Sequence, residues 1–273
     1  MSGFTVSSTV DSIAIGNFDG MHLGHKALFE KLTQNGGIVV IEHFRATLTP
    51  HIYRTFFTDL PIFFYDFEFI RQMSPEAFVK KLVIDFPKLS RIVVGDDFLF
   101  GLNRSGNTES LKKLFCGEVI VIKEVKLKEQ PIHSRFIRKL IESGELDRAN
   151  SMLGRVYEIW GEVVSGQGIG KEKLVPTINL STGKFLLPKP GVYATETSIA
   201  GKYFASVTFV GHRVTTDGNF SIETHIIDKN LSDIRGKVSI RWNRYIRRNR
   251  KFDSLDDLKK QILKDIEVAC EKR

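Results

Sequence analysis

The stretch Ser12-Ile-Ala-Ile-Gly-Asn-Phe-Asp-Gly-Met-His-Leu-Gly-His25 decides how the first half of the chain folds. Ser12–Phe18 reads as a buried strand, and His25–Thr33 as the helix that follows. Between them lies a glycine-rich turn. The carboxyl end of a strand and the start of the next helix present free backbone N–H groups, which is where an open α/β sheet holds phosphate. Gly16, Gly20 and Gly24 let a bulky anion approach the backbone closely. His22 and His25 are three residues apart and project to one side of the first helical turn. Two imidazoles there can donate to phosphate oxygens and offset charge in a phosphoryl or nucleotidyl transition state. A metal-binding pair and a pair of partly exposed turn histidines are the other readings, although no third metal ligand is evident nearby.

Reading outward, strands and helices alternate up to about residue 153. Gly37–Ile41, Pro61–Phe67, Arg91–Gly95 and Glu118–Val125 have strand character. Pro75–Asp85, Thr108–Phe115 and Ser134–Leu153 have helical character, with Ser74 capping the first of these and Gly144 breaking the last. Such alternation implies parallel βαβ units. Beyond Gly154 the segments are short and β-rich: Tyr157–Val164, Gly191–Thr197, Tyr203–Val210, Phe220–Asp228 and Lys237–Trp242. They suggest a small antiparallel barrel. A final helix, capped by Ser254, carries Leu255, Leu258, Ile262, Ile266 and Ala269 on one stripe. Two domains are expected, 1–153 and 154–273.

Composition narrows the function classes. With 42% hydrophobic and 26% charged residues the chain is an ordinary globular protein, and 273 residues suffice to bury a core unaided. Its two cysteines, Cys116 and Cys270, form no CxxC, so a disulfide framework and a cysteine zinc site are not expected. No basic segment followed by an apolar run opens the chain, and no stretch approaches the roughly 18 apolar residues of a membrane span. We expect a cytoplasmic protein with no membrane partner. Lys plus Arg is 40 against 32 for Asp plus Glu, a formal charge of +8. That balance suits polyanions, from phosphorylated small molecules to nucleic acid. Arg241, Arg244, Arg247, Arg248, Arg250 and Lys251 crowd together, so a nucleic-acid patch is one rival reading, although few aromatic residues interleave with them.

The segment Gly16–His25 (GNFDGMHLGH) resembles the signature of the bacterial bifunctional riboflavin kinase/FMN adenylyltransferases, or FAD synthetases. Gly95-Asp-Asp-Phe-Leu-Phe-Gly101 is similar to that family's GxDFxFG. Ser134 and Ile137-Arg138 fall where it has SSTxIR, and Asn150-Ser-Met-Leu-Gly-Arg-Val-Tyr157 resembles its LGRxY junction. The resemblance implies a nucleotidyltransferase-like, Rossmann-like first domain in which the FMN phosphate attacks the α-phosphorus of ATP and pyrophosphate leaves. It places Gly16, Asn17, Phe18, Asp19, Gly20 and Gly24 around the ATP phosphates with Ser134 and Arg138, makes His22 and His25 catalytic, and puts Asp97 on the flavin side. Departures are visible: SST has become His133-Ser134-Arg135, and the TFxPHP segment is Ile41-Glu-His-Phe-Arg-Ala46.

In the second half, Val175-Pro-Thr-Ile-Asn-Leu180 resembles the PTAN motif of riboflavin kinases. Alternate side chains of an extended segment face the same way, so Thr177 and Asn179 converge, and both offer oxygen to Mg²⁺. Ser221-Ile-Glu-Thr-His-Ile-Ile-Asp228 is similar to the family's xEvHxxD strand, which makes Glu223 the general base toward the riboflavin 5′-hydroxyl. A lone carboxylate between apolar residues, here with Ile222 and Ile226 on the other face, also suits a merely solvent-facing strand position. The flavin-lid DLYG is altered to Ser232-Asp-Ile-Arg-Gly236. The resemblance thus implies FAD synthesis from riboflavin, with ATP as co-substrate, Mg²⁺ at both steps, and riboflavin, FMN and FAD as substrates or products. One rival is an adenylyltransferase whose second half only binds flavin. The oligomeric state is left open.

Before the metal motif, Gly166, Gly168 and Gly170 permit close backbone approach to a phosphate, and Lys171 stands at the second basic position of the family's GDxRGRxLGF. The first basic position is Ile169. We therefore expect Lys171→Ala to raise the KM for ATP in the riboflavin step, with Lys171→Arg and Lys173→Ala changing it little. Steady-state kinetics at saturating riboflavin decide this; an equal effect from Lys173→Ala contradicts it.

Overall fold

The computed structural model describes residues 7–43, 47–165, 175–213, 218–227 and 234–271. Contacts divide the chain into two compact units, Met1–Ser134 and Arg135–Arg273.

The first unit is built on five parallel strands: β1 (Ser12–Gly16), β2 (Gly36–Glu42), β3 (Ile62–Asp66), β4 (Arg91–Gly95) and β5 (Glu118–Ile122), in the order β3-β2-β1-β4-β5. Helices α1 (Leu23–Phe29), α2 (Phe67–Ile70), α3 (Pro75–Asp85) and α4 (Thr108–Leu114) intervene. Strand side chains alternate between two buried faces. Ile13, Ile15, Val39, Ile92 and Val94 join Phe78, Leu82, Phe86 and Leu111 in one cluster. Ala14, Ile38, Val40 and Val93 join Phe18, Met21 and Leu28 in another. A parallel sheet covered on both faces explains why its strands read as nearly unbroken apolar runs. The chain moves outward from β1 to β3, then crosses back to β4 on the far side of β1, so the order reverses between β1 and β4. That reversal is where an open α/β sheet leaves a crevice at its carboxyl edge.

Several boundaries differ from expectation for identifiable reasons. β1 stops at Gly16 rather than Phe18, because Phe18 has φ +48°, which ends a strand. α1 begins at Leu23 rather than His25, because the His22 side chain caps it, accepting the His25 N–H. The expected strand Pro61–Phe67 becomes β3 followed by α2, with Asp66 as the cap accepting the Glu68 N–H at 2.8 Å. Ser74 caps α3 as expected, accepting the Ala77 N–H at 3.2 Å. A 3-10 turn at His51–Phe57 and a short hairpin, β6 (Lys126–Leu127) with β7 (Gln130–Pro131), add to the expected elements.

Helix α5 (Ser134–Ser143) starts on the last residue of the first unit and runs into the second, where α6 (Leu146–Leu153) follows it, the two parted at Gly144, whose φ is +83°. Six antiparallel strands then close a barrel: β8 (Tyr157–Val164), β9 (Ile178–Ser181), β10 (Gly191–Ile199), β11 (Lys202–His212), β12 (Phe220–Ile226) and β13 (Lys237–Arg247), in the order β10-β11-β12-β9-β8-β13. Asn150 ties α6 to the barrel: its Oδ1 accepts the Tyr157 N–H at 2.7 Å and its Nδ2 donates to the Trp242 carbonyl at 3.1 Å. Tyr193 and Trp242 pack edge-to-face in the core. Beside them Thr195, Ser206, Thr208 and Thr224 are all buried and linked by hydroxyl–hydroxyl bonds of 2.8–2.9 Å.

Helix α7 (Leu255–Cys270) completes the unit, capped by Ser254, which accepts the Asp257 N–H at 3.1 Å. The basic cluster holds this helix and the strand before it. Arg247 forks onto Asp265 at 2.7–3.1 Å, Arg244 donates to the Val268 carbonyl at 2.8 Å, and Arg250 donates to Gln261 at 2.6 Å. Arg241 pairs with the buried Glu158 at 3.1 Å. Four of the six residues that suggested a polyanion patch, Arg241, Arg244, Arg247 and Arg250, thus have structural partners within the unit, while Arg248 and Lys251 are exposed.

Asp265 is buried at the centre of the α7 stripe, so truncating it strands the Arg247 charge. Breaking such a pair typically costs about 3–5 kcal/mol when both partners are buried; Arg247 retains some exposure, and we expect about 2–3 kcal/mol for Asp265→Ala. Both tryptophans, Trp160 and Trp242, lie in this unit, so urea unfolding followed by tryptophan fluorescence measures it directly. A loss below about 1 kcal/mol, the range of an exposed pair, contradicts the assignment.

Candidate active sites

The first site forms at the carboxyl end of β1. The turn after Gly16 places three residues at positive φ: Phe18 (+48°), Gly20 (+87°) and Met21 (+44°). Two of them carry side chains, and such conformations persist only where the surroundings hold them. The Phe18 ring packs edge-on against Phe29 and His25, with centroids 5.0 and 5.1 Å away. Asn17 donates to the Ile41 carbonyl at 2.9 Å and ties the turn to the end of β2. Asp19 is buried, and its Oδ1 accepts the Thr49 N–H at 3.1 Å.

His22 and His25 do share a side, as their spacing requires: their rings stack with centroids 3.5 Å apart. They are not equivalent. His22 is buried and both its nitrogens face protein groups. Nδ1 accepts the His25 N–H at 3.3 Å, and Nε2 lies 3.2 Å from Ser134 Oγ, which in turn donates to the Asp19 carbonyl at 2.7 Å. Because Nδ1 accepts, Nε2 carries the proton and Ser134 Oγ receives it. His25 is only half-buried. Ser134, predicted from sequence to join this site, therefore closes the turn from the distant end of the unit.

Two of the glycines make room for neighbouring side chains. A Cβ on Gly16 would stand 3.1 Å from the Phe18 ring, and one on Gly24 would stand 3.2 Å from the His22 ring and 3.3 Å from the Ile132 carbonyl. Asp97 follows β4 across the sheet's reversal point. It is exposed, while Phe98 and Phe100 beside it are buried in the core and stack on each other. Arg138 stands one turn beyond Ser134 on α5. His133, at the altered SST position, pairs with Glu124 at 2.7 Å. Among the described residues no group of three or more His, Cys, Asp or Glu side chains is arranged to hold a metal.

The second site lies on the barrel. In β9 the side chains of Ile178 and Leu180 are buried while Thr177 and Asn179 are partly exposed, the alternation expected of an extended segment. β12 pairs with β9 so that Glu223 stands directly opposite Asn179. Glu223 Oε1 accepts from Ser221 Oγ at 3.0 Å and from Arg213 Nη1 at 3.3 Å. Both donors use the same oxygen, so Oε2 has no partner among the described residues. His225, two residues on, lies 2.7 Å from the Pro176 carbonyl and fastens the chain just before Thr177. A hydroxyl, an amide and a carboxylate form an all-oxygen set suited to Mg²⁺, which keeps several waters and binds few protein ligands. Gly166, Gly168, Gly170 and Lys171 lie outside the described residues. Sequence reasoning passed over Ser221 and Arg213 as partners of Glu223; for Ser221 the signal available was its place two residues before Glu223 on the same strand face, and for Arg213 there was none in the local pattern.

Together these features define a two-domain protein that joins a nucleotidyltransferase-like α/β unit to a small barrel in which a carboxylate stands opposite Asn179. The FAD synthetase family model matches residues 6–59 and 59–136, and the riboflavin kinase model matches 153–272. Similar curated proteins include the bifunctional riboflavin kinase/FMN adenylyltransferase of Buchnera aphidicola subsp. Acyrthosiphon pisum, 32% identical over 94% of this chain and 91% of that protein. The protein of the same description from Haemophilus influenzae is 28% identical over 94% of this chain and 92% of its own length. Among solved structures, one described as a macrolide-efflux protein from Streptococcus pneumoniae superposes with TM-score 0.85 at 27% identity, covering 98% of this chain and 96% of its own. Among the described residues no helix is long and apolar enough to cross a membrane. The chain belongs to the bifunctional riboflavin kinase/FMN adenylyltransferase family.

The bonding around His22 makes a direct prediction. Long-range ¹H–¹⁵N spectra of the free protein should show its imidazole protonated on Nε2 and bare on Nδ1. A proton on Nδ1 contradicts the capping geometry.

Proposed function

We infer that this chain makes FAD from riboflavin in two ATP-dependent steps, one in each half, with the functional boundary near residue 153 where the riboflavin kinase match begins. The observation that carries the reading is the register that sets Glu223 opposite Asn179 in the barrel. A second half that only bound flavin would need neither a base nor a metal motif, and here the two are paired across adjacent strands.

In the barrel, Glu223 accepts the proton of the riboflavin 5′-hydroxyl through Oε2. Ser221 and Arg213 hold the carboxylate by its other oxygen and fix its direction. The hydroxyl oxygen then bonds to the γ-phosphorus of ATP as the bond to ADP breaks. Thr177 and Asn179 would hold Mg²⁺, which when bound neutralises phosphate charge. Lys171 and the glycines at 166, 168 and 170 are proposed to face the phosphates.

In the first unit, an FMN phosphate oxygen bonds to the α-phosphorus of ATP and the bond to the departing pyrophosphate breaks, with no enzyme-bound intermediate. The turn Gly16–Gly24 holds the phosphates with its backbone. The more accessible His25 donates to them, while His22 fixes the His25 ring by stacking and caps the helix. Ser134 and Arg138 contribute on the ATP side and Asp97 on the flavin side. Mg²⁺ accompanies ATP here as well. The exposed, unpaired thiols of Cys116 and Cys270 suit the reducing cytoplasm, where we place the protein.

Two variants test the division of labour. His25→Ala should cut FAD formation from FMN by about 10²–10³ and leave riboflavin phosphorylation nearly unchanged. Glu223→Gln should do the reverse, with a loss of about 10²–10⁴ in the kinase step. Chromatographic separation of riboflavin, FMN and FAD reads both. A parallel fall of both activities in either folded variant contradicts the two-site reading.

A further inference from the structure

One side chain that the proposed chemistry does not use reaches the metal motif from the neighbouring strand. His225 lies on β12, two residues after Glu223 and on the same strand face. Its backbone is held in the ladder with β11, opposite Val207. Its ring Nδ1 lies 2.7 Å from the Pro176 carbonyl, forty-nine residues away in sequence. A carbonyl only accepts, so Nδ1 donates and carries the proton. In the neutral ring Nε2 is then bare.

The bond falls where the chain otherwise lacks one. The β12–β9 ladder pairs Glu223 with Asn179 and Thr224 with Ile178, and goes no further. The β8–β9 ladder ends at Asn179. Neither reaches Thr177 or Pro176, although Thr177 is one of the two oxygen donors proposed for Mg²⁺. Val175 and Ile178 on either side are buried, whereas Pro176 is exposed and Thr177 partly so. The freedom left is therefore confined to two residues. Proline has no N–H, and its ring fixes φ at about −65°. Its ψ remains, and because the peptide is planar, ψ swings the carbonyl and the Pro176–Thr177 peptide as one plane. The His225 bond pins that carbonyl. A ring on one laddered strand thus sets the direction of the Thr177 backbone on the other.

We propose that His225 is a positioning residue for riboflavin phosphorylation: through the Pro176 carbonyl it presents Thr177 to ATP and its Mg²⁺, beside Asn179 and Glu223. This rests on the reading of the barrel as the riboflavin kinase. Because His225 acts through Thr177, its loss weakens the use of ATP and leaves the base in place. The role depends on where one N–H donor stands, not on having an imidazole.

The test is riboflavin phosphorylation by the full chain, in excess Mg²⁺, as wild type, His225→Ala, His225→Asn and His225→Gln. Asparagine places its amide nitrogen the same number of bonds from Cα as Nδ1; glutamine places it one bond further out. His225→Ala should raise the KM for ATP about fivefold, the usual effect of one hydrogen bond, with a smaller change in kcat and the KM for riboflavin within about twofold. His225→Asn should stay within about twofold of wild type, and His225→Gln should behave like His225→Ala. FAD formation from supplied FMN should be unchanged throughout. A readout independent of activity is the long-range ¹H–¹⁵N spectrum of the free wild-type protein, which should show the neutral His225 ring protonated on Nδ1 and bare on Nε2. If His225→Ala is too unstable to assay, the contrast between His225→Asn and His225→Gln still decides. An unmoved ATP KM in folded His225→Ala, no rescue by His225→Asn, or a neutral ring protonated on Nε2 overturns the proposal while leaving the kinase reading intact. A wild-type chain that makes no FMN overturns the kinase reading, and this proposal with it.

Discussion

The chain must leave a buried parallel strand and start a helix within six residues, and it must do so at the point where the sheet order reverses. The solution is a turn in which Phe18, Gly20 and Met21 all take positive φ. For the two residues with side chains this costs about 1–2 kcal/mol each. The surrounding structure holds them there: Phe18 and Met21 are buried in the core, Asn17 is tied to β2, and Asp19 is tied to Thr49 and Ser134. In return the turn delivers His22 and His25 to the carboxyl end of β1 with their rings stacked. The stacked histidines and the Ser134 hydroxyl both meet at that bend.

The barrel meets a different constraint. A carboxylate can act as a base only if it is held still without having its basic oxygen occupied. Closing six strands into a ring fixes the β9–β12 register, and that register places Glu223 beside Asn179. Ser221 and Arg213 then bind one oxygen only. The outer helix is held by the arginines of β13, most firmly through the Arg247–Asp265 fork. A barrel this small draws part of its rigidity from such pins, and from the hydroxyl-linked threonines inside it.

Much of this was legible in the residues. The parallel sheet followed from apolar runs separated by helical patterns, and the barrel from short segments punctuated by turns. Ser74 and Ser254 announced their helices, and the break at Gly144 falls where its left-handed backbone requires it. What escaped was long-range or unusual. No local pattern reveals that a histidine side chain will cap α1, or that Phe18 will turn left-handed and end β1 early. The burial of Asp265 depends on a partner eighteen residues earlier, Arg247, which no helical periodicity reveals. Ser134 was marked for the first site by resemblance alone; its contact with His22 spans more than a hundred residues. The buried pair of Arg54 and Glu42 lay hidden for the same reason: its 2.8 Å contact is a fact of tertiary structure that no local pattern encodes.

The central claim is that one chain carries two consecutive chemistries at two separate sites. The most direct measurement is a time course of the wild-type protein with riboflavin, ATP and Mg²⁺, resolving the flavins and assaying pyrophosphate. The account predicts that FMN appears first, that FAD follows, and that one pyrophosphate accompanies each FAD. Accumulation of FMN without FAD, or no conversion of riboflavin while supplied FMN is adenylylated, would contradict it.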